Sequence, residues 1–256
     1  MILQAETFQT RRFESMSCPC EILLDSADAG LAEKALHAAR TEAARIESKY
    51  SRFLAGSMTS RINHSAGDAV ETDEETSDLL DFAGECYEIS DGLFDITRRG
   101  WNQVRWNRPV IQLPHGFEID FGGICKEYAA DRILKLLRSN TGVSVLVNLG
   151  GDIAVEGTRL WSVGIENPSR PGQIARTLSL RRGGVATSGT TKRPGHILNP
   201  KNGQPVMGAP LSVTVAAKSC TEAGFWSTLA ILKGHRAETF LNAQGLEFWC
   251  YRDSRS

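Results

Sequence analysis

No stretch of this chain is apolar for long enough to cross a bilayer, and residues 1–16, MILQAETFQTRRFESM, lack the apolar core of a leader and carry Glu6 ahead of the arginines. Cysteine is scarce: six in 256 residues is too few for a disulfide scaffold, and Cys18-Pro19-Cys20 has no second pair at zinc-ligand spacing. The thiols are therefore expected to be reduced and mostly structural. Charge of either sign is not in excess. A net charge of −1 leaves no electrostatic footprint for nucleic acid or an anionic membrane. There is no internal repeat, which excludes a solenoid or propeller, and no G-x-G-x-x-G, which argues against a dinucleotide-binding Rossmann unit. These absences point to a cytoplasmic protein with no membrane span and no nucleic-acid partner.

What is present suits one enzyme-sized core. With 41% apolar and 23% charged residues, the chain is expected to form a single domain over 1–256, its core at 7–250 and a fraying tail at 252–256. Apolar residues at three- and four-residue steps predict helices over 28–50 and 72–89, the second opened by Asp73, Glu74 and Glu75, and a third over 223–232. A strand or hairpin turning at Cys18-Pro19 precedes them. The region 51–63 is turn-rich and irregular, and 101–113 reads as a loop packed by Trp101 and Trp106. Short strands follow at 144–148, 152–156, 160–165, 175–180, 184–187, 210–216 and 245–251. Short glycine-rich connections favour hairpins over crossovers, so the fold class is α+β with a mixed, largely antiparallel sheet flanked by helices.

The chain is organised around EIDFGGICKEYAADRILKLL, 118–137, which reads as strand, Gly122-Gly123 turn and helix. Two readings fit it: a steric turn, or a site where the first amides of the helix receive an anion such as phosphate. Lys126 in the first turn opposes the helix dipole and is more easily explained by an external anion. Three further junctions share this character: VSVLVNLGGDI with Gly150, Gly151 and Asp152; GGVATSG with Thr187 and Ser188; and HILNPKNG with His196. If these tips met, they would form one polar pocket. An unperturbed histidine has its pKa near neutrality, so His196 could act as a base, or be an inert turn residue.

Nine pieces in order, MSCPCEI, ARIESKYSRFLAGSMTSRIN, SDGLFDIT, IDFGGICKEYAADR, VNLGGDI, WSVGIENP, GVATSG, HILNPKNGQPV and TEAGFWSTLAILKG, resemble the successive motifs of the ApbE-like FAD:protein FMN transferases. The resemblance implies a transferase that moves FMN from FAD to a Ser or Thr hydroxyl of an acceptor protein, releasing AMP with help from Mg2+. It implies a flavin pocket built from Met16, Ser57, Asn63, the backbone at Leu93, Phe94 and Asp95, then Gly122, Gly123, Lys126, Tyr128, Asp131, Gly150, Gly151, Thr187 and Ser188. His196 and Lys126 take the catalytic roles. For the metal it implies the Cys125 carbonyl and Thr228, together with an Asp one helical turn before Thr228. Here that position is Gly224. Either another carboxylate such as Asp152 replaces it, or the protein is a weakened FAD-binding carrier or slow FAD hydrolase. Family members are often exported lipoproteins, a habit from which this chain is expected to depart.

Overall fold

A computed structural model describes residues 8–190 and 197–253. Ten strands and six α-helices run in the order β1 (Gln9–Ser15), β2 (Cys18–Leu24), α1 (Ala29–Tyr50), α2 (Met58–Asn63), β3 (Val70–Glu71), α3 (Glu74–Ile89), β4 (Arg105–Asn107), β5 (Val110–Gln112), α4 (Cys125–Thr141), β6 (Val145–Leu149), β7 (Asp152–Glu166), β8 (Ile174–Gly189), β9 (Ser212–Ala217), α5 (Cys220–Leu232), α6 (Ala237–Ala243) and β10 (Glu247–Tyr251) among the described residues. Seven strands form one sheet in the order β1-β2-β6-β7-β8-β9-β10, and β3-β5-β4 form a small second one. Every neighbouring pair is antiparallel. Strand order follows chain order except between β2 and β6, where most of the helical layer is inserted.

Alternation along β6 explains why both faces of the sheet are covered. Val145, Val147 and Leu149 pack with Ile46, Ile133 and Leu137 of the helices, whereas Leu146 joins Val155, Trp161, Val163 and Leu178 on the other side. That second layer is the outer half of the β7–β8 hairpin. It turns over at an irregularity between Glu156 and Trp161, where Gly157 has φ +144 and a Cβ would lie 2.3 Å from Ser144 Oγ. The helix termini follow from local chemistry. Asp28 Oδ1 accepts from Leu31 N at 3.0 Å, Ser219 Oγ accepts from Glu222 N at 3.1 Å, and Gly142 closes α4 in the left-handed region at φ +70. Alanines 32, 35, 39 and 43 line the buried face of α1. α5 is apolar nearly all round because it lies between α4 and the sheet.

Several expected elements differ. The hairpin turns at Met16-Ser17, with φ of +50 and +57, rather than at Cys18-Pro19. Residues 119–121 are not a strand, because Asn63 takes the edge a neighbour would need: its Oδ1 accepts from Ile119 N at 2.7 Å and its Nδ2 donates to Ile119 O at 2.9 Å. A 3-10 turn at Phe121–Gly123 follows. Residues 51–63 contain α2, too short for periodicity to register but capped by Ser57, whose Oγ accepts from Ser60 N at 2.9 Å. The loop expected at 101–113 holds the β4–β5 hairpin, and α5 begins at Cys220 rather than at 223. Asp95 organises the turn after α3. Its carboxylate gathers Thr97 N at 2.8 Å, Thr97 Oγ1 at 2.7 Å and Gly100 N at 2.8 Å into a closed turn. Arg252, expected to fray, donates to both oxygens of Glu238 and to the carbonyls of Gly208 and Gly234.

Candidate functional site

The register brings two of the four polar junctions, with the β1–β2 turn, to one end of the large sheet, where the third, at the start of α4, joins them. Ser15 faces Cys18, Cys20 faces Leu149, Leu149 faces Asp152 and Ile153 faces Val185, so Met16, the Gly150-Gly151 turn and the Thr187-Ser188 tip lie side by side. The start of α4 lies against this end. Gly150, at φ +65, is packed so closely that a Cβ would lie 2.9 Å from Cys18 Cβ and 3.7 Å from Lys126 Nζ. Of the fourth junction, His196 lies outside the described residues, while Lys201 Nζ donates to Asp91 at 3.0 Å, beside the turn that carries Leu93 and Phe94.

Charge is concentrated where the junctions meet. Lys126 forms an ion pair with Asp152, which is 3% exposed. Burial alone would draw the ammonium down, but the carboxylates of Asp152 and Glu127 outweigh it and hold Lys126 above its ordinary range. For Asp152 burial dominates and pushes its carboxyl up, with Lys126 opposing. The carboxyl of Glu127 is pushed up to about 8, chiefly by burial and then by the charge of Asp152. Its Oε2 is sealed from solvent and has no hydrogen-bond partner among the described residues. Cys18, half-buried, has its thiol drawn down to about 7 by the neighbouring Cys20 thiol, 3.8 Å away, with Lys126 adding to the pull.

The other wall is hydroxylic. Ser188 Oγ lies 2.9 Å from both Ser227 Oγ and Thr228 Oγ1 on α5, and Thr187 Oγ1 lies 2.8 Å from Thr214 Oγ1. One turn before Thr228, Gly224 presents bare backbone to Glu127: a Cβ there would be 2.6 Å from Glu127 Cγ. The amides at the start of α4 are partly committed, since Gly122 N donates to Asp120 Oδ1 at 2.8 Å, but no side chain caps α4 itself. Gly123 is exposed, packed at 3.8 Å from Phe94 Cζ by the same measure of an added Cβ.

Lys126, Gly122, Gly123, Cys125, Gly150, Gly151, Asp152, Ser188 and Thr228 therefore lie around one centre. Other expected site residues are engaged in holding it. Met16 N donates to Glu47 Oε2 at 3.2 Å, Tyr128 donates its hydroxyl to Glu75 at 2.9 Å, and Asp131 accepts from the start of α5. Three residues of the centre had no role assigned from sequence: Cys18, Glu127 and Ser227. Glu127 stands next to Lys126 in the motif, yet nothing in the spacing reveals which side chain faces Gly224 across a helix pair. A groove of about 760 Å3 lined by Phe82, Arg182, Glu222 and Trp226 contains none of these residues.

The motif resemblance implies a divalent cation, and the oxygen chemistry of the nearby donors would suit a hard one. Among the described residues no three His, Cys, Asp or Glu side chains gather as a metal centre. The oxygen donors seen there are the Thr228 hydroxyl and the unpartnered Glu127 Oε2, to which the resemblance adds the Cys125 carbonyl.

The chain matches the family model described as the ApbE family over residues 16–100 and 96–250. It is 35% identical over 128 residues to an FAD:protein FMN transferase of Klebsiella pneumoniae, covering 46% of this chain and 40% of that protein. It is 31% identical over 169 residues to one of Treponema pallidum, covering 55% and 47%. The chain thus spans less than half the length of these curated relatives. Among solved structures, the ApbE protein of Thermotoga maritima superposes with a TM-score of 0.87 at 25% identity, covering 95% of this chain and 94% of that one. The apo flavinyl transferase ApbE of Pseudomonas stutzeri gives 0.85 at 22% identity, covering 100% and 94%, which shows a common fold.

Proposed function

The chain belongs to the ApbE family, and from that premise we propose that it is an FAD:protein FMN transferase acting on a Ser or Thr hydroxyl of an acceptor protein. The acceptor oxygen forms a new bond to the FMN phosphorus, the pyrophosphate bond to the AMP half breaks with its electron pair going to AMP, and the hydroxyl proton passes to a base. The observation that carries this reading is the meeting of the uncapped α4 start, the Gly150-Gly151 turn and the Lys126–Asp152 pair at one end of the sheet. Such a place suits a pyrophosphate, whose charge would be met by the helix start, which no side chain caps, and by a lysine held in its charged form.

Glycines 122, 123, 150 and 151 let the dinucleotide approach the backbone closely. Ser57 and Asn63 act through the elements they fix: Asn63 holds the backbone at Ile119, just ahead of the glycine turn, and Ser57 caps the helix that carries Asn63. Thr228 and the Cys125 carbonyl are the oxygen donors proposed for Mg2+, which when bound draws charge from the phosphate oxygens. His196 is the proposed base.

The test is incubation with FAD, Mg2+ and the proteins encoded beside its gene, followed by mass spectrometry for an FMN-sized addition on Ser or Thr. Under the same conditions His196→Ala should lose the adduct while retaining FAD. Tight FAD binding with no adduct on any acceptor would overturn the transferase reading in favour of a flavin carrier.

A further inference from the structure

Gly224 and Glu127 form a matched pair across two helices. A Cβ on Gly224 would come within 2.6 Å of Glu127 Cγ and 3.0 Å of both Cδ and Oε1. The Glu127 side chain from α4 thus fills the volume that any side chain at 224 on α5 would claim. Residues 224 and 228 are four apart on α5 and share one face, so the carboxylate of Glu127 lies over the turn that presents Thr228 Oγ1, itself 2.9 Å from Ser188 Oγ. A carboxylate in this position is costly. Its Oε2 is shielded from solvent without a hydrogen-bond partner among the described residues, and the adjacent carboxylate of Asp152 adds repulsion. Lys126, paired with Asp152, offsets this only in part, and burial with the charge of Asp152 prevails. A buried acidic oxygen with no partner, held against the α5 turn that also carries the Thr228 hydroxyl, is what a hard divalent cation would answer.

We infer that Glu127 supplies the carboxylate ligand of the magnesium site, reaching from α4 into the place left bare by Gly224 on α5. The inference rests on the flavin-transfer reading for its choice of cation. It assigns the charge of the site to Glu127, leaves Asp152 as the partner of Lys126, and explains why residue 224 must be glycine here: a longer residue would collide with the ligand.

Calorimetric titration of Mg2+ into the FAD-loaded full chain, with Mn2+ paramagnetic resonance as a second readout, tests it without reference to turnover. The unmodified protein should show one divalent site. Glu127→Gln, which keeps the shape and removes the charge, should weaken Mg2+ by roughly tenfold to a hundredfold or more. Glu127→Gly combined with Gly224→Asp, which moves the carboxylate from α4 to α5, should return most of the affinity. Unchanged affinity in Glu127→Gln, loss of the site in Asp152→Asn alone, or the absence of any divalent site in the FAD-loaded unmodified protein would each overturn the assignment. If the double variant fails to fold, the Glu127→Gln titration still decides. Failure of the transferase reading is separable: a Glu127-dependent metal site with no flavin adduct on any acceptor leaves this inference standing.

Discussion

Asp131 of α4 holds the first turn of α5 through Thr221: Asp131 Oδ2 accepts from Thr221 N at 2.8 Å and Thr221 Oγ1 at 2.6 Å, while Oδ1 accepts from Cys220 N at 2.9 Å. One carboxylate thereby satisfies two amides that the helix cannot, at the end where the helix dipole favours negative charge. Because α4 carries Lys126 and Glu127 and α5 carries Gly224 and Thr228, this clamp sets the spacing between the two halves of the site. Asp131→Ala strands those donors and should cost about 2–4 kcal/mol of unfolding free energy. Denaturant titration measures it, and a loss below about 0.5 kcal/mol, the scale of an ordinary surface substitution, would show that the clamp does not bear on stability.

Glu75 gives the structure a dependence on acid. Arg45 donates to both its oxygens at 2.7 and 2.8 Å, Lys49 at 2.7 Å and Tyr128 at 2.9 Å, which holds the Glu75 carboxyl well below the usual carboxylate range, Arg45 first among the causes. A carboxylate depressed in the folded state contributes stability above its unfolded pKa and loses that contribution as pH falls toward the folded value. Stability should therefore decline as pH drops below about 4.5, the ordinary value for Glu. Glu75→Gln should be less stable than the parent at neutral pH and show a shallower decline in acid. Melting temperatures measured from pH 7 downward check this, and parallel curves for the two proteins would reject it.

Much of this arrangement was legible in the sequence. The long helices at 28–50 and 72–89 emerged from periodicity because their buried faces repeat, Ala35, Ala39, Ala43 and Ile46 in one and Leu79, Leu80 and Ala83 in the other. The glycine junctions were visible as chemistry. What the sequence hid is tertiary: Asn63 occupying the backbone of Ile119 turned an apparent strand into a coil, and a six-residue helix is shorter than the period that would reveal it. The relation of Glu127 to Gly224 joins residues on different helices, which no spacing rule connects. Lys126 illustrates the same limit. Its position against the helix dipole pointed to an external anion, and the fold supplies an internal partner as well, Asp152.

Cys18 should be the reactive thiol of the chain. It is half-buried with its thiol drawn down to about 7, whereas Cys250 is pushed up to about 12 by burial and by Glu238, and Cys86, Cys125 and Cys220 are raised by burial. The thiolate is the nucleophile, so labelling of Cys18 should rise as pH increases through about 7 and then level off. Peptide mapping after brief iodoacetamide treatment at pH 6 and pH 8 tests this, and Lys126→Met should move the midpoint upward by removing a neighbouring positive charge. Preferential labelling of Cys250, the other half-buried thiol, would contradict it.

The ion pair of Lys126 with Asp152 should separate structure from binding. Asp152 is 3% exposed, while the Lys126 side chain keeps 32% of its surface. Removing the lysine leaves a buried carboxylate uncompensated beside Glu127, so Lys126→Met should destabilise by about 3–5 kcal/mol. Asp152→Asn leaves a lysine that can turn toward solvent and should cost less. In the double variant the stranded charge is gone, and stability should recover by more than the sum of the single losses allows. FAD affinity should behave differently. If Lys126 serves the dinucleotide, every variant that lacks it stays weak for FAD, including the double variant whose fold has recovered. Denaturation and flavin-fluorescence titration of the four proteins measure both quantities. Additive stability losses would mean that the pair is not coupled, and full FAD affinity in the double variant would remove Lys126 from the binding site.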